Sequence, residues 1–221
     1  MPKQVINVAA DDALTQIYRL ANDEGEEVIA ARLAERLDLK PPSMAGMLSR
    51  LKRDRLIKVD PKKRVTLTSE GFQRAESMVR RHRLAECLLV NVLGLPWWQA
   101  YEEAHLMEHS ISDITEPLIV DRLGNPATSP FGAIIPGKKT STKMSLQKLS
   151  DHDEAEQVTV ERVFEEDEEL LKFFENENIK PGATIVVLEK ATYRGTITIQ
   201  INKKEIVLGL QAASRIWTKD R

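Results

Sequence analysis

Apolar residues recur at helical intervals through the first half of the chain. Within residues 11–21 (DDALTQIYRLA) the apolar positions are 13, 14, 17, 18, 20 and 21. That spacing predicts a helix with Asp11 or Asp12 as its cap and Gly25 as a breaker beyond its end. Residues 28–37 (VIAARLAERL) predict a second helix, and residues 38–42 a turn. Ser43 opens a third helix, SMAGMLSRLKRD, with Pro42 at its first turn and Met44, Met47, Leu48 and Leu51 as its apolar stripe. Two short extended runs, Leu56–Val59 and Arg64–Thr68, flank the tip Asp60-Pro61-Lys62-Lys63. Helix, helix, turn, helix and basic hairpin is the pattern of a winged helix-turn-helix. Further helices are predicted from Ser69 to Gly94, from Trp97 to about Ser110, and from Ser112 to Leu123.

A loop rich in Gly, Pro, Ser and Thr occupies Gly124 to Lys143, and the periodicity then changes. A strand begins at Val158, a helix covers Glu166–Phe174, and alternating β-branched runs appear at Thr184–Leu188, Thr196–Ile201 and Glu205–Leu208. The predicted class is therefore mainly α with α+β elements. It comprises a DNA-binding winged helix over residues 1–74, a helical dimerisation and metal-binding domain over 75–140, a linker over 141–150 and a small β-barrel over 151–221. Helices this apolar, beyond a small DNA-binding unit, predict a homodimer, whose two-fold symmetry suits paired half-sites on DNA.

Charge sharpens the picture of the first domain. The net charge is −2, so the whole chain does not attract a polyanion, yet residues 40–64 carry nine Lys/Arg against two Asp/Glu. Such a patch supplies phosphate attraction. Lys52, Arg53, Lys62, Lys63 and Arg64 are the candidate phosphate contacts, and Pro42, Ser43, Ala45, Gly46, Ser49 and Arg50 the candidate groove residues. Small residues there permit close approach to bases and thymine methyls but give few bidentate readers. Cys87 is the single cysteine, which excludes an internal disulfide and fits a reducing compartment. With no apolar run near the ~20 residues of a membrane span and no signal-like start, a cytoplasmic protein is expected. Residues 151–178 hold twelve Asp/Glu against two Lys/Arg, which reads first as a solvated face and second as a source of metal ligands.

Candidate chemistry concentrates in His105-Leu106-Met107-Glu108-His109. On a helix, two imidazoles and a carboxylate then share one face, a donor set for a divalent first-row metal. His82 and Glu86 repeat the pairing at i, i+4, and with Asp12 six candidate ligands stand out. The same HxxEH spacing also occurs in zinc peptidases with glutamate as general base. A winged helix upstream argues for a non-enzymatic role without an organic small-molecule substrate. A constitutive DNA-binding protein with a structural metal is the other alternative.

Several segments together resemble the diphtheria-toxin-repressor family of metal-dependent transcriptional regulators. They are Gln16-Ile17-Tyr18, Pro42-Ser43, Leu67-Thr68-Ser69-Glu70-Gly71, His82-Arg83-Leu84-Ala85-Glu86, Glu108-His109 with Ser112-Asp113, Ser129-Pro130-Phe131-Gly132 and Ile135-Pro136-Gly137. The resemblance covers nearly the whole chain and implies a repressor that binds operator DNA when loaded with Mn2+ or Fe2+, with Zn2+ or Co2+ as further ions the site would take. It implies an SH3-like (FeoA-like) C-terminal domain, and one metal site from Asp12, His105, Glu108 and His109. A second site would use His82, Glu86 and carboxylates among Asp167, Glu168 and Glu169, with Tyr101 standing where the family has a further histidine. Metal is expected to fix the first helix against the dimer core. His105 matches neither the sulfur ligand of iron-responsive members nor the carboxylate frequent in manganese-responsive ones.

Overall fold

The computed structural model describes residues 8–137 and 146–220. The described chain forms two compact units, one comprising residues up to His82 together with Met107–Glu116, the other Arg83–Leu106 with the residues from Pro117 onward.

In the first unit, α1 (Val8–Tyr18) leads through a wider π-helical turn (Arg19–Asp23) to α2 (Ala30–Arg36) and α3 (Pro41–Arg53). Asp11 and Asp12 lie inside α1 and do not cap it. Pro41 and Pro42 start α3 two residues before the predicted Ser43, because a first-turn proline forfeits no helical hydrogen bond. β1 (Ile57–Val59) and β2 (Val65–Leu67) pair antiparallel as the wing, extended by a bridge from Ile29 to Arg64. Leu14, Ile17, Leu20, Leu33, Met44, Leu51, Ile57 and Val65 are buried together, so the apolar stripes read from sequence converge on one core. α4 (Ser69–Cys87) follows the wing. A Cβ on Gly71 would stand 2.0 Å from the Leu56 carbonyl oxygen, so only glycine lets the first turn of α4 lie against the residue that precedes β1.

The long predicted helix ends its regular course at Cys87 and finishes in a second π-helical turn, Leu88–Val92. A 3-10 turn (Trp97–Gln99) at the predicted start leads into α5 (Ala100–Glu108), and α6 (Thr115–Arg122) follows, both α-helices shorter than predicted.

The second unit contains a six-stranded antiparallel sheet in the order β3-β8-β4-β5-β6-β7. Its strands are β3 (Gln147–Lys148), β4 (Gln157–Val163), β5 (Thr184–Ala191), β6 (Thr196–Ile201), β7 (Lys204–Gly209) and β8 (Ile216–Asp220), with α7 (Glu168–Asn176) and α8 (Leu210–Ala213) completing it. β3, α8 and β8 lack a predicted counterpart. Of the predicted 141–150 linker and the end of the Gly124–Lys143 loop, residues 138–145 lie outside the described residues, and Gln147–Lys148 belong to the sheet by pairing with β8. Alternate residues Ile197, Ile199 and Ile201 face the core, as period-two patterning requires. The Ser129-Pro130-Phe131-Gly132 segment is part of this packing. Phe131 is fully buried and stacks on Trp97 with ring centroids 5.4 Å apart, and its carbonyl accepts from Val163 N–H at 3.0 Å.

Candidate metal centre

α1 carries Asp12 one residue after Asp11, and these neighbours divide the work. Asp11 is buried and accepts from Arg74 Nε of α4 at 2.5 Å. That pair ties α1 to α4 and leaves Asp12 on the adjoining part of the helix surface. There Asp12 Oδ1 lies 3.4 Å from His109 Nε2, and Glu108 Oε1 lies 3.3 Å from the same nitrogen. α5 is continuous to Glu108, so helical geometry places His105 one turn earlier on the same side. One ligand atom from each of Asp12, His105, Glu108 and His109 lies within 4.8 Å of the others, the one such group among the described residues.

The separations suit a first-row ion. Imidazole and carboxylate bind such ions at about 2.0–2.2 Å, which sets adjacent ligand atoms roughly 3.0–3.5 Å apart. Two nitrogens and two oxygens form a borderline-to-hard set fitting Mn2+, Fe2+, Co2+ or Zn2+.

Glu108 is 2% exposed, and so is the His82 side chain beside it. His82 Nδ1–H donates to Glu108 Oε2 at 2.6 Å, which leaves Oε1 toward His109. The four-residue group thus leaves out His82 and Glu86. His82 contacts the candidate ligand Glu108, and Glu86 is fully buried one turn further along α4. Sequence spacing had no means of showing this, because the partner of His82 is twenty-six residues away. It also gave no sign that Arg80 and Arg81 both donate to Glu116, at 2.6 and 3.2 Å, securing the segment after His109.

The candidate second-site carboxylates have local roles. Asp167 caps α7 by accepting from Leu170 N–H at 3.0 Å, and Glu168 and Glu169 pair with Lys172 at 2.8 Å each. Acidic groups at a helix N-terminus also complement its dipole. Tyr101 is part-exposed on α5. Burial, followed by the nearby Glu86 carboxylate, pushes the Cys87 thiol up to about 12, so the single thiol stays protonated and is a poor metal ligand.

In the winged helix, all eleven candidate DNA contacts are exposed: Pro42, Ser43, Ala45, Gly46, Ser49, Arg50, Lys52, Arg53, Lys62, Lys63 and Arg64. Two of the cations are also engaged internally. Arg53 pairs with Asp54 at 3.0 Å, and Arg64 with Asp60 at 2.6 Å and Glu27 at 3.3 Å. The Arg64 backbone N–H, more than its guanidinium, holds the Asp60 carboxyl below its usual range and so fixes the wing turn. A groove between α2, α3 and the wing is lined by Ala45, Leu48, Ser49, Lys52, Val59 and Lys63.

Residues 8–65 match the family profile "Iron dependent repressor, N-terminal DNA binding domain". Residues 68–137 match "Iron dependent repressor, metal binding and dimerisation domain", and residues 147–220 match "FeoA domain". The iron-dependent repressor IdeR of Mycobacterium tuberculosis is 45% identical over 124 residues, which are 56% of this chain and 54% of that protein. The diphtheria toxin repressor of Corynebacterium diphtheriae is 38% identical over 124 residues, with the same coverage. These alignments thus span about half the length of the curated relatives. A manganese-dependent transcriptional repressor solved with manganese superposes over 96% of this chain and 100% of its own, with TM-score 0.89 and 30% identity. ScaR with bound Zn2+ superposes over 96% and 99%, with TM-score 0.83 and 26% identity.

Proposed function

Because this chain belongs to the diphtheria-toxin-repressor family of metal-dependent transcriptional regulators, we propose that it is a homodimeric repressor that grips operator DNA when metal-loaded. The observation that carries this reading is Asp12 of α1, 3.4 Å from His109. α1 shares a core with the DNA-reading helix α3, whereas His109 follows α5. An ion held by Asp12, His105, Glu108 and His109 therefore joins α1 to the end of α5, and its binding energy goes into fixing α1.

Mn2+ or Fe2+ is the effector in this reading, and Zn2+ and Co2+ also satisfy the donor set. Glu108 acts as a ligand and His82 orients it, so neither acts as an acid or base on a substrate. Exposed Leu93, Leu106, Ile114 and Leu118 offer apolar area for a second copy. Lys52, Arg53, Lys62, Lys63 and Arg64 contact phosphates, while α3 enters the major groove. The protein acts in the cytoplasm on genes of metal homeostasis. The domain limits proposed are 1–74, 75–140 and 151–221, the last extended back to Gln147 by β3.

The test is Asp12→Ala. The variant is expected to keep the circular-dichroism spectrum and to lose metal-dependent binding to duplexes from its own promoter. Retention of wild-type metal dependence would refute the connection.

A further inference from the structure

Gly46 sits in the interior of α3 and is exposed. The core side of that helix is Met44, Met47 and Leu51. A Cβ built on Gly46 meets nothing within 4 Å, and its φ is not in the left-handed region. Gly71 differs, since a Cβ there strikes a carbonyl oxygen at 2.0 Å. Nothing inside the unit therefore requires glycine at position 46. Relative to alanine, glycine in a helix interior lowers the folding equilibrium about fivefold. A compensating gain must come from a surface the helix meets.

Charge says which surface. Arg50, Lys52, Lys62 and Lys63 are all exposed around this face, within a segment carrying nine cations against two anions. Those features select a polyanion whose groove admits a helix, not an apolar helix of another protein. The helical neighbours of position 46 are Pro42, Ser43, Ser49 and Arg50, so no long side chain precedes Arg50. Glycine presents no donor or acceptor outward from a helix. It recognises only shape, and the apolar projection on the major-groove edge of a base pair is the thymine methyl.

We infer that Gly46 is a specificity-determining residue that admits a thymine methyl against the α3 backbone. The inference rests on the proposal that α3 reads DNA. The full-length chain is compared with Gly46→Ala and Gly46→Ser, all with Mn2+. Duplexes selected by the wild type from a random-sequence pool serve as probes, with a scrambled duplex as control, by fluorescence anisotropy at one salt concentration. Gly46→Ala is expected to melt about 2 °C or more above wild type and to bind the scrambled duplex equally. On the selected duplex its affinity is expected to fall about tenfold or more. Replacing the contacted thymine of each half-site by uracil is expected to weaken the wild type and to restore part of the affinity lost by Gly46→Ala.

Gly46→Ala and Gly46→Ser binding the selected duplex as tightly as wild type would overturn the inference and leave the repressor reading standing. Equal losses on scrambled and selected duplexes, or indifference of the wild type to every uracil, would overturn it as well. So would a change of oligomeric mass without a change of DNA affinity. A wild type that enriches no sequence from the pool would remove the DNA-reading proposal itself.

Discussion

His82 provides a test of how the buried carboxylate is held. Both His82 and Glu108 side chains are 2% exposed, and the His82 Nδ1–H to Glu108 Oε2 distance is 2.6 Å. A hydrogen bond to a charged group contributes about 1.5–3 kcal/mol net. For a chain of this size each kcal/mol moves the melting temperature by about 2–4 °C, so His82→Leu is expected to melt roughly 3–12 °C lower without metal. The bond is present without metal, so only part of its value appears in metal affinity. That part is orientation of Oε1, and loss of a group that orients a ligand typically weakens metal binding about 10–100-fold. His82→Asn puts an amide N–H near the former Nδ1 and is expected to recover most of the affinity. The assay is Mn2+ binding by electron paramagnetic resonance, in parallel with thermal melting. Equal losses in the leucine and asparagine variants would mean that His82 is itself a ligand, since an amide nitrogen cannot replace imidazole on the ion. Unchanged affinity in both would refute the orienting role.

Other expectations concern parts of the fold around the site. Gly71→Ala forces a Cβ to 2.0 Å from the Leu56 carbonyl oxygen, so it is expected to cost about 2 kcal/mol or more of stability by urea denaturation, and a neutral result would contradict the packing. Glu116→Ala removes the acceptor shared by Arg80 and Arg81, which are 23% and 17% exposed. It is expected to destabilise by about 1–2 kcal/mol and to weaken Mn2+ binding through the loosened segment after His109, with Glu116→Asp intermediate. The Cys87 thiol, buried and pushed up to about 12, is expected to resist a thiol reagent at pH 8 until the chain unfolds. Rapid labelling of the folded protein would show that its surroundings are open.

The winged helix was legible because its signals are local. The apolar stripe Met44, Met47 and Leu51 fixes which side of α3 is inward, and the Asp60–Lys63 turn fixes the wing. Three of the four grouped residues were legible for the same reason, since His105, Glu108 and His109 need only one helical turn to meet. Asp12 stood among the six candidates, but its grouping with these three came through family resemblance, because nothing in its neighbourhood reveals a partner ninety-seven residues onward. The contact of His82 with Glu108 was hidden for a related cause. Its i, i+4 spacing to Glu86 suggested a ligand pair, whereas tertiary packing supplied Glu108 as its partner. In the second unit the alternating strands were plain, but β3 has two residues and β8 lies in Ile216-Trp217-Thr218-Lys219-Asp220, whose single turn of α8 beforehand leaves no periodic signal. In the acidic run at residues 167–169, Asp167 caps α7 and Glu168 and Glu169 pair with Lys172, contacts that net charge could not disclose.

Metal-coupled DNA binding is tested most directly by titrating Mn2+ and Fe2+ anaerobically into the full-length chain with labelled promoter duplex, after chelator treatment. The account predicts negligible sequence-specific binding with chelator, its restoration as the ion is added, and failure of restoration in Asp12→Ala at matched ion concentration. Equal specific affinity in chelator and in saturating metal would contradict it.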